Sequence, residues 1–105
     1  MMMNVCPHLT PKALEEMTQR GVKPILLDVR DEEEYERGHL AGAVCLPVRM
    51  LEEKIGLMVR RKETPVALYC RSGARSRRAA RTLLTMGYEH VWDLGGLTQW
   101  SYRLM

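Results

Sequence analysis

The stretch that decides the fold is VALYCRSGARS, residues 66–76. Its first four residues form a short apolar run, which is typical of a buried strand. Residues 70–75 contain a glycine and two arginines, which predicts a tight loop. The next segment, residues 76–86, is predicted to be a helix, because one helical face carries the apolar residues Ala79, Ala80, Leu83 and Met86. Strand, loop and helix in this order form the repeating unit of α/β proteins.

The rest of the chain repeats this alternation. Three more strands are predicted, at residues 25–29, 43–46 and 91–94. A helix is predicted at residues 10–21, where Thr10 and Pro11 form a start signal, and another at residues 31–38, where Asp31 and Glu34 form a capping box. A third helix has Leu51, Ile55 and Met58 on one face, and a short one is predicted around Trp100. The sequence therefore predicts an α/β fold with a mostly parallel sheet and helices on both faces.

Length and composition favour one small domain. The chain has 105 residues, which suits a single domain over residues 1–105 with a core at about 9–101. The hydrophobic fraction of 46% argues against a disordered chain. No apolar run approaches the roughly 18 residues of a membrane span, and the N-terminal residues do not resemble a signal peptide. We therefore expect neither membrane association nor secretion.

The three cysteines are Cys6, Cys45 and Cys70. An odd number without a C-x-x-C pair or Cys/His spacing predicts neither a disulfide framework nor a metal site. Reduced thiols in the cytoplasm fit this pattern best. Cys45 lies within a short apolar run and is predicted to be a core residue. Cys6 lies near the terminus, and a role as a resolving thiol stays open.

Charge is unevenly distributed along the chain. Residues 31–36 are acidic, whereas residues 60–81 carry eight basic residues against one acid. Most of these charges are interpreted as solvated helix faces, but Arg71 and Arg75 flank the cysteine loop and favour a local anion site. Nucleic-acid binding is not expected, because no aromatic residue is interleaved with the basic run and no nucleic-acid motif is present.

The loop after Cys70 has the features of a thiolate cradle. Backbone N–H groups of residues 71–76 can converge on one point where a loop curls before a helix. Gly73 permits the turn, and the helix dipole and two arginines favour the thiolate over the thiol. The alternative is an inert buried cysteine, but the polar residues that follow Cys70 do not suit an apolar pocket.

The residues of this loop, Cys70-Arg71-Ser72-Gly73-Ala74-Arg75-Ser76, resemble the active-site loop of rhodanese-like sulfurtransferases. Other segments of the chain are also similar to the family and occur in the family's order. They are LDVR at 27–30, GHL at 38–40, AGA at 41–43, and Gly95-Gly96 before Trp100. The resemblance covers the chain from about Thr10 to Trp100. It departs at Cys45, where the family often has Asn, and mildly at Leu40.

The resemblance implies a sulfurtransferase that forms a persulfide on Cys70 and needs no metal or organic cofactor. Its loop residues would bind the substrate, namely Arg71, Ser72, Gly73, Ala74, Arg75 and Ser76. The implied partners are a small anionic sulfur donor such as thiosulfate and a thiol or cyanide acceptor. Asp28 and Arg30 lie at the end of a buried strand and are predicted to support the site through an ion pair or by fixing the backbone. His39 is predicted to be a hydrogen-bonded packing residue, and the serines to bond the loop or cap the helix.

Three alternatives stay open at this stage. The chain could relay persulfide sulfur between proteins, or it could be a rhodanese-like module that only binds a protein partner. The intact Cys70 argues against the second of these. A phosphatase or arsenate reductase is the third alternative. The loop from Cys70 to Arg75 has six residues, whereas tyrosine phosphatases have the spacing Cys-x5-Arg, which would place the arginine at Ser76.

Overall fold

Four parallel strands form one sheet in the computed structural model, which describes residues 8–97. The strands are β1 (Ile25–Asp28), β2 (Val44–Cys45), β3 (Val66–Cys70) and β4 (Val91–Gly96), and their order across the sheet is β2-β1-β3-β4. Each neighbouring pair is parallel. The carboxyl ends of all four strands therefore share one edge, which is where ligands bind in sheets of this kind.

Helices cover both faces of the sheet, so the predicted fold class is confirmed. The helices are α1 (Pro11–Gln19), α2 (Glu32–Arg37), α3 (Leu51–Met58) and α4 (Ala74–Thr85), with a short 3-10 turn at Val48–Met50. The alternating side chains of β3 divide the core into two parts. Val66, Leu68 and Cys70 pack with α3 and α4, whereas Ala67 and Tyr69 pack on the opposite face with α1 and residues of α2.

The predicted helix starts are confirmed at two places. The Thr10 hydroxyl accepts a hydrogen bond from the Ala13 N–H at 3.1 Å, and Pro11 opens α1. Asp31 and Glu34 form a complete capping box at the start of α2. Both signals are local in the chain, because each pairs residues three apart, and for that reason they were readable from the sequence.

Other boundaries differ from the prediction. Helix α4 begins at Ala74, two residues earlier than predicted. The prediction relied on the apolar face of the helix, and Ala74 and Arg75 add no buried side chain to that face. Cys70 is the last residue of β3, and β4 extends through Gly96. Met58 is 37% exposed, and Val59 is buried beside Ile55 where Met58 was expected. The helix predicted around Trp100 lies outside the described residues.

No helix within residues 8–97 has the length and apolar character needed to cross a membrane.

Candidate active site

Cys70 ends β3 at the carboxyl edge of the sheet, and its side chain is fully buried. The Cys70 Sγ accepts hydrogen bonds from the backbone N–H of Gly73 at 2.9 Å and of Ser76 at 3.3 Å. Both donors belong to the N-terminal end of α4, where the helix dipole is positive. The loop thus brings two backbone donors and a helix terminus to one sulfur atom, an arrangement that favours negative charge on that sulfur.

Two glycines give the loop its shape. Gly73 caps α4 with φ of +106°, a left-handed conformation that other residues adopt only with strain. Gly96 lies next to Cys70 in the ladder between β3 and β4. A Cβ atom on Gly96 would lie 2.5 Å from the carbonyl oxygen of Arg71, so only glycine lets the loop backbone approach β4 this closely.

Hydrogen bonds to Asp93 of β4 connect that strand to the start of α4, next to the loop. The Ser76 hydroxyl donates a hydrogen bond to Asp93 Oδ1 at 2.7 Å, and the Gly95 N–H donates to the same oxygen at 2.8 Å. Both side chains are buried. The Ser76 hydroxyl also lies within hydrogen-bond distance of the Gly73 carbonyl oxygen, at 3.2 Å, as expected of a serine that bonds the loop. Ser76 is not the helix cap, because that position is Gly73 and Ser76 lies in the first turn of α4. Asp93 was missed, although a single acid inside the apolar run before Gly95-Gly96 was a usable signal.

Arg75 forms an ion pair with Glu34 of α2. Its two terminal nitrogens donate to the two carboxylate oxygens of Glu34, at 2.7 and 3.1 Å. The hydrogen bonds from Arg75 lower the pKa of Glu34 to about 2, and the same contact raises the pKa of Arg75. The role of Arg75 in donor binding stays a prediction, and the structure adds a carboxylate partner that the sequence did not indicate.

The remaining loop residues, Arg71, Ser72 and Ala74, are exposed. Within residues 8–97, no ion pair involves the guanidinium of Arg71. Arg71 therefore offers an uncompensated positive charge next to the cysteine. Its proposed contact with an anionic donor stays a prediction.

A buried polar network lies behind Cys70. Arg30 pairs with Asp28 through contacts as short as 2.6 Å, and the Tyr69 hydroxyl donates to Asp28 Oδ2 at 2.7 Å. The Tyr69 oxygen also accepts a hydrogen bond from the Leu40 N–H at 3.0 Å. Burial and the bond to Asp28 raise the pKa of Tyr69, so the phenol stays protonated. The ion pair has the supporting position that the sequence suggested, and it holds the residue just before Cys70.

His39 and Cys45 do not share the surroundings of Cys70. The His39 ring stacks on Tyr35 with 3.7 Å between ring centroids, and its Nδ1 lies 2.9 Å from the Tyr35 carbonyl oxygen. This is the packing role that was predicted. Cys45 was predicted to be a core residue, but it is only half-buried on β2 and belongs to neither part of the core. Burial raises the pKa of its thiol, which disfavours the reactive thiolate. Cys6 lies outside the described residues.

Other features do not compete with this loop as a catalytic centre. Within residues 8–97, no cluster of three His, Cys, Asp or Glu side chains is arranged to hold a metal ion. An apolar groove beside α1 is lined by Leu14, Leu26 and Leu40 and by none of the loop residues. The groove also contains Glu15 and Thr18 but no thiol, so it does not share the chemistry of the Cys70 loop.

Comparison with known proteins gives consistent matches. The family described as Rhodanese-like domain matches residues 10–103. The thiosulfate sulfurtransferase PspE of Escherichia coli is 39% identical over 71 residues, which are 68% of this chain and 68% of that protein. The thiosulfate sulfurtransferase GlpE of Coxiella burnetii is 35% identical over 102 residues, covering 96% of this chain and 90% of that protein. The solved structure of a rhodanese with anions from E. coli is 32% identical with a TM-score of 0.68, and the match covers 78% of this chain and 96% of that one.

Proposed function

Because the chain belongs to the rhodanese-like domain family, we propose that it transfers sulfane sulfur through a persulfide on Cys70. One observation carries this proposal. Two backbone N–H groups, from Gly73 and Ser76, donate to the Cys70 sulfur at the start of α4. Such preorganised donors stabilise an anionic sulfur before and after it receives a second sulfur atom.

The first half of the reaction loads the cysteine. The Cys70 thiolate attacks the outer sulfur of thiosulfate, a new S–S bond forms, and the bond from that sulfur to the sulfonyl sulfur breaks. Sulfite leaves with the bonding electron pair, and Cys70 becomes an anionic persulfide. This is nucleophilic catalysis of the ping-pong type. Both reactants are anions, so their approach needs the positive surroundings that α4 and the loop arginines supply.

The second half of the reaction unloads the cysteine. A cyanide ion or a thiolate attacks the outer sulfur of the persulfide, and the S–S bond to Cys70 breaks. The electron pair returns to the Cys70 sulfur, which regains its two N–H donors. The product is thiocyanate or the persulfide of the acceptor thiol. No other electron donor or acceptor takes part, because sulfur moves between nucleophiles without net oxidation.

We assign the other residues supporting roles in this proposal. Arg71 and Arg75 would attract the anionic donor and the leaving sulfite, and Ser72, Gly73, Ala74 and Ser76 would form the wall of the loop. Asp28 and Arg30 act at a distance, because Asp28 accepts a hydrogen bond from Tyr69 at the end of β3 and Arg30 pairs with Asp28. The chemistry needs a reduced thiol, which favours a reducing compartment such as the cytoplasm.

Loading with thiosulfate tests the proposal. Incubation of the reduced protein with thiosulfate, without an acceptor, should add one sulfur atom, which peptide mass spectrometry should locate on Cys70. Addition of cyanide should remove it as thiocyanate. The Cys70→Ser protein should acquire no sulfur, whereas Cys6→Ser and Cys45→Ser are matched controls that should still load.

The result also separates the remaining alternatives. If Cys70→Ser still gains a cyanide-labile sulfur, another cysteine is the carrier and the proposal is wrong. If thiosulfate fails to load the protein but a persulfidated protein thiol succeeds, the chain is a relay. A module that only binds partners would load from neither donor.

A further inference from the structure

The exposed side of α4 is a face of three arginines that begins next to the Cys70 loop. Arg77, Arg78 and Arg81 are exposed, and they lie opposite the buried side of the helix. A helix advances by about 1.5 Å per residue, so these arginines span roughly 6 Å along the axis. Arg77 lies one turn after Gly73, which bonds the Cys70 sulfur. We name these three residues the α4 arginine face.

The charges of this face are not compensated within the described chain. Of the other described arginines, Arg30, Arg49, Arg61 and Arg75 have acidic partners, whereas Arg20, Arg37, Arg60 and Arg71 take part in no ion pair but are not grouped on one helix face. No ion pair within residues 8–97 involves the α4 arginine face. It is therefore available to an external anionic group.

Helix stability alone does not explain this arrangement. The first turn of α4 has no acidic residue, and positive charges near the positive end of a helix dipole are unfavourable. Arg77 and Arg81 are also four residues apart, where like charges repel across one turn. Both effects slightly disfavour the helix. A face that opposes the stability of its own helix points to a role in binding.

We propose that the α4 arginine face docks an acidic segment of a protein thiol that exchanges sulfur with Cys70. This proposal rests on the proposed function and names the class of partner that the same site would serve. An acidic polypeptide fits better than a nucleic acid, because the described face carries no aromatic side chain on which bases could stack.

The opposite side of the loop would orient such a partner. Helix α2 presents the exposed acids Glu33 and Glu36, and Glu34 of the same helix contacts the loop through Arg75. An acidic segment is repelled by α2 and attracted by α4. The opposite charges of the two helices would therefore favour one orientation of the partner relative to the loop.

In the docked complex, sulfur moves from Cys70 to the partner by exchange of one S–S bond for another. The partner thiolate attacks the outer sulfur of the Cys70 persulfide, a new S–S bond forms on the partner, and the bond to Cys70 breaks. The Cys70 thiolate leaves with the electron pair. In the reverse direction, a partner persulfide loads Cys70 by the same bond changes.

Three synthetic peptides of equal length, each with one cysteine, test the proposal. The cysteine is flanked by Asp and Glu, by Ser and Asn, or by Lys. The full-length protein is first loaded with thiosulfate, and the rate of sulfur transfer to each peptide is measured. We expect the acidic peptide to react about tenfold faster than the neutral one at low ionic strength, with the ratio falling at high ionic strength.

The matched variants differ in where they remove three positive charges. The triple variant Arg77→Gln, Arg78→Gln, Arg81→Gln should lose the preference for the acidic peptide. Its control is the triple variant Lys23→Gln, Lys54→Gln, Arg60→Gln, which removes exposed charges outside α4 and should keep the preference. Gln has a helix propensity close to that of Arg, so α4 should persist in the first variant.

Two results would overturn the proposal. One is an equal acidic-to-neutral rate ratio in both triple variants. The other is tight binding of a labelled RNA hairpin that depends on the α4 arginine face while the peptides react equally, which would make a nucleic acid the partner.

A binding measurement separates this proposal from the proposed function. The fluorescence anisotropy of the labelled acidic peptide is measured on the Cys70→Ser protein, which carries no sulfur. Binding that depends on the α4 arginine face supports docking even if thiosulfate fails to load wild-type Cys70. Absence of such binding overturns docking even if loading succeeds.

Discussion

Arg75 donates hydrogen bonds to both carboxylate oxygens of Glu34, which lies 41 positions earlier in the chain. The N–O distances are 2.7 and 3.1 Å, and both side chains are partly buried. The contact joins the Cys70 loop to helix α2 at the carboxyl edge of the sheet. The two arginines of the loop therefore differ, because Arg75 has a carboxylate partner and the exposed Arg71 has no ion pair within the described chain.

The first prediction concerns the charge of Arg75. Arg75→Ala should lower kcat/KM with thiosulfate by about tenfold or more, because a charge-assisted contact with an anion contributes roughly 1.5 to 3 kcal/mol. The loss with a neutral organic persulfide donor should be smaller. Glu34→Gln keeps the guanidinium and removes its partner, so activity with thiosulfate should be kept or raised. Steady-state kinetics with both donors measure these effects.

Equal losses with the two donors in both variants would contradict this prediction. Such a result would mean that the ion pair maintains the shape of the loop and that Arg75 does not respond to the charge of the donor.

The second prediction is a dependence of stability on pH. The pKa of Glu34 is lowered from 4.5 to about 2 by Arg75. The stabilisation is therefore fully present above about pH 4.5 and is lost as the pH falls towards 2. We expect wild type to exceed Glu34→Gln by about 1 to 2 kcal/mol in unfolding free energy at pH 7, after allowance for solvent screening, and this difference should shrink at acid pH.

Urea unfolding from neutral to acid pH measures this difference. Glu63→Gln is the control, because Glu63 pairs with Arg61 on the surface with both side chains more than half exposed. That variant should differ little from wild type at any pH. A Glu34→Gln deficit that stays constant down to about pH 2 would show that ionisation of Glu34 is not its source.

The third prediction concerns the close approach of β4 to the loop. Gly96→Ala would place a Cβ 2.5 Å from the Arg71 oxygen, so the loop backbone must move. We expect sulfur loading to slow about 10- to 100-fold, because small displacements of a reactive group have effects of this size. The loss of stability should be about 1 to 3 kcal/mol.

Gly56→Ala is the matched control for this change. Gly56 lies inside α3, and nothing lies within 4 Å of a Cβ added there. Alanine should stabilise the helix by about 0.5 to 1 kcal/mol and leave loading unchanged. If Gly96→Ala loads sulfur at the wild-type rate, contact between β4 and the loop does not determine the geometry of the site.

The fourth prediction concerns the length of the loop. The segment from Cys70 to Arg75 has six residues and surrounds one sulfur atom. We expect negligible hydrolysis of aryl phosphates beside measurable sulfur transfer from thiosulfate, because the Cys-x4-Arg spacing resembles that of sulfurtransferases and is shorter than the Cys-x5-Arg spacing of tyrosine phosphatases. Cys70-dependent phosphatase turnover without sulfur transfer would overturn the assignment.

Local patterns were sufficient for much of the fold and for the loop that follows Cys70. The capping signals, the alternation of elements and the turn at Gly73 each depend on residues within a few positions of one another. The contacts of Asp93 with Ser76, of Tyr69 with Asp28 and of Arg75 with Glu34 join residues 17 to 41 positions apart. These contacts depend on which strands and helices become neighbours in the fold, and patterns among nearby residues do not indicate those neighbours. For the same reason the sequence indicated the loop but not Asp93 and Glu34, which bind its residues.

The position of Gly95 and Gly96 behind the loop has a consequence for how the protein is made. A ribosome releases β1 and α2 first, then Cys70, and β4 only afterwards. Until β4 has emerged, Asp93 cannot bind Ser76 and the loop lacks the backbone against which it rests. The surroundings of Cys70 are therefore complete only after β4 has joined the sheet, so any activity that depends on the shape of this loop must begin late in synthesis.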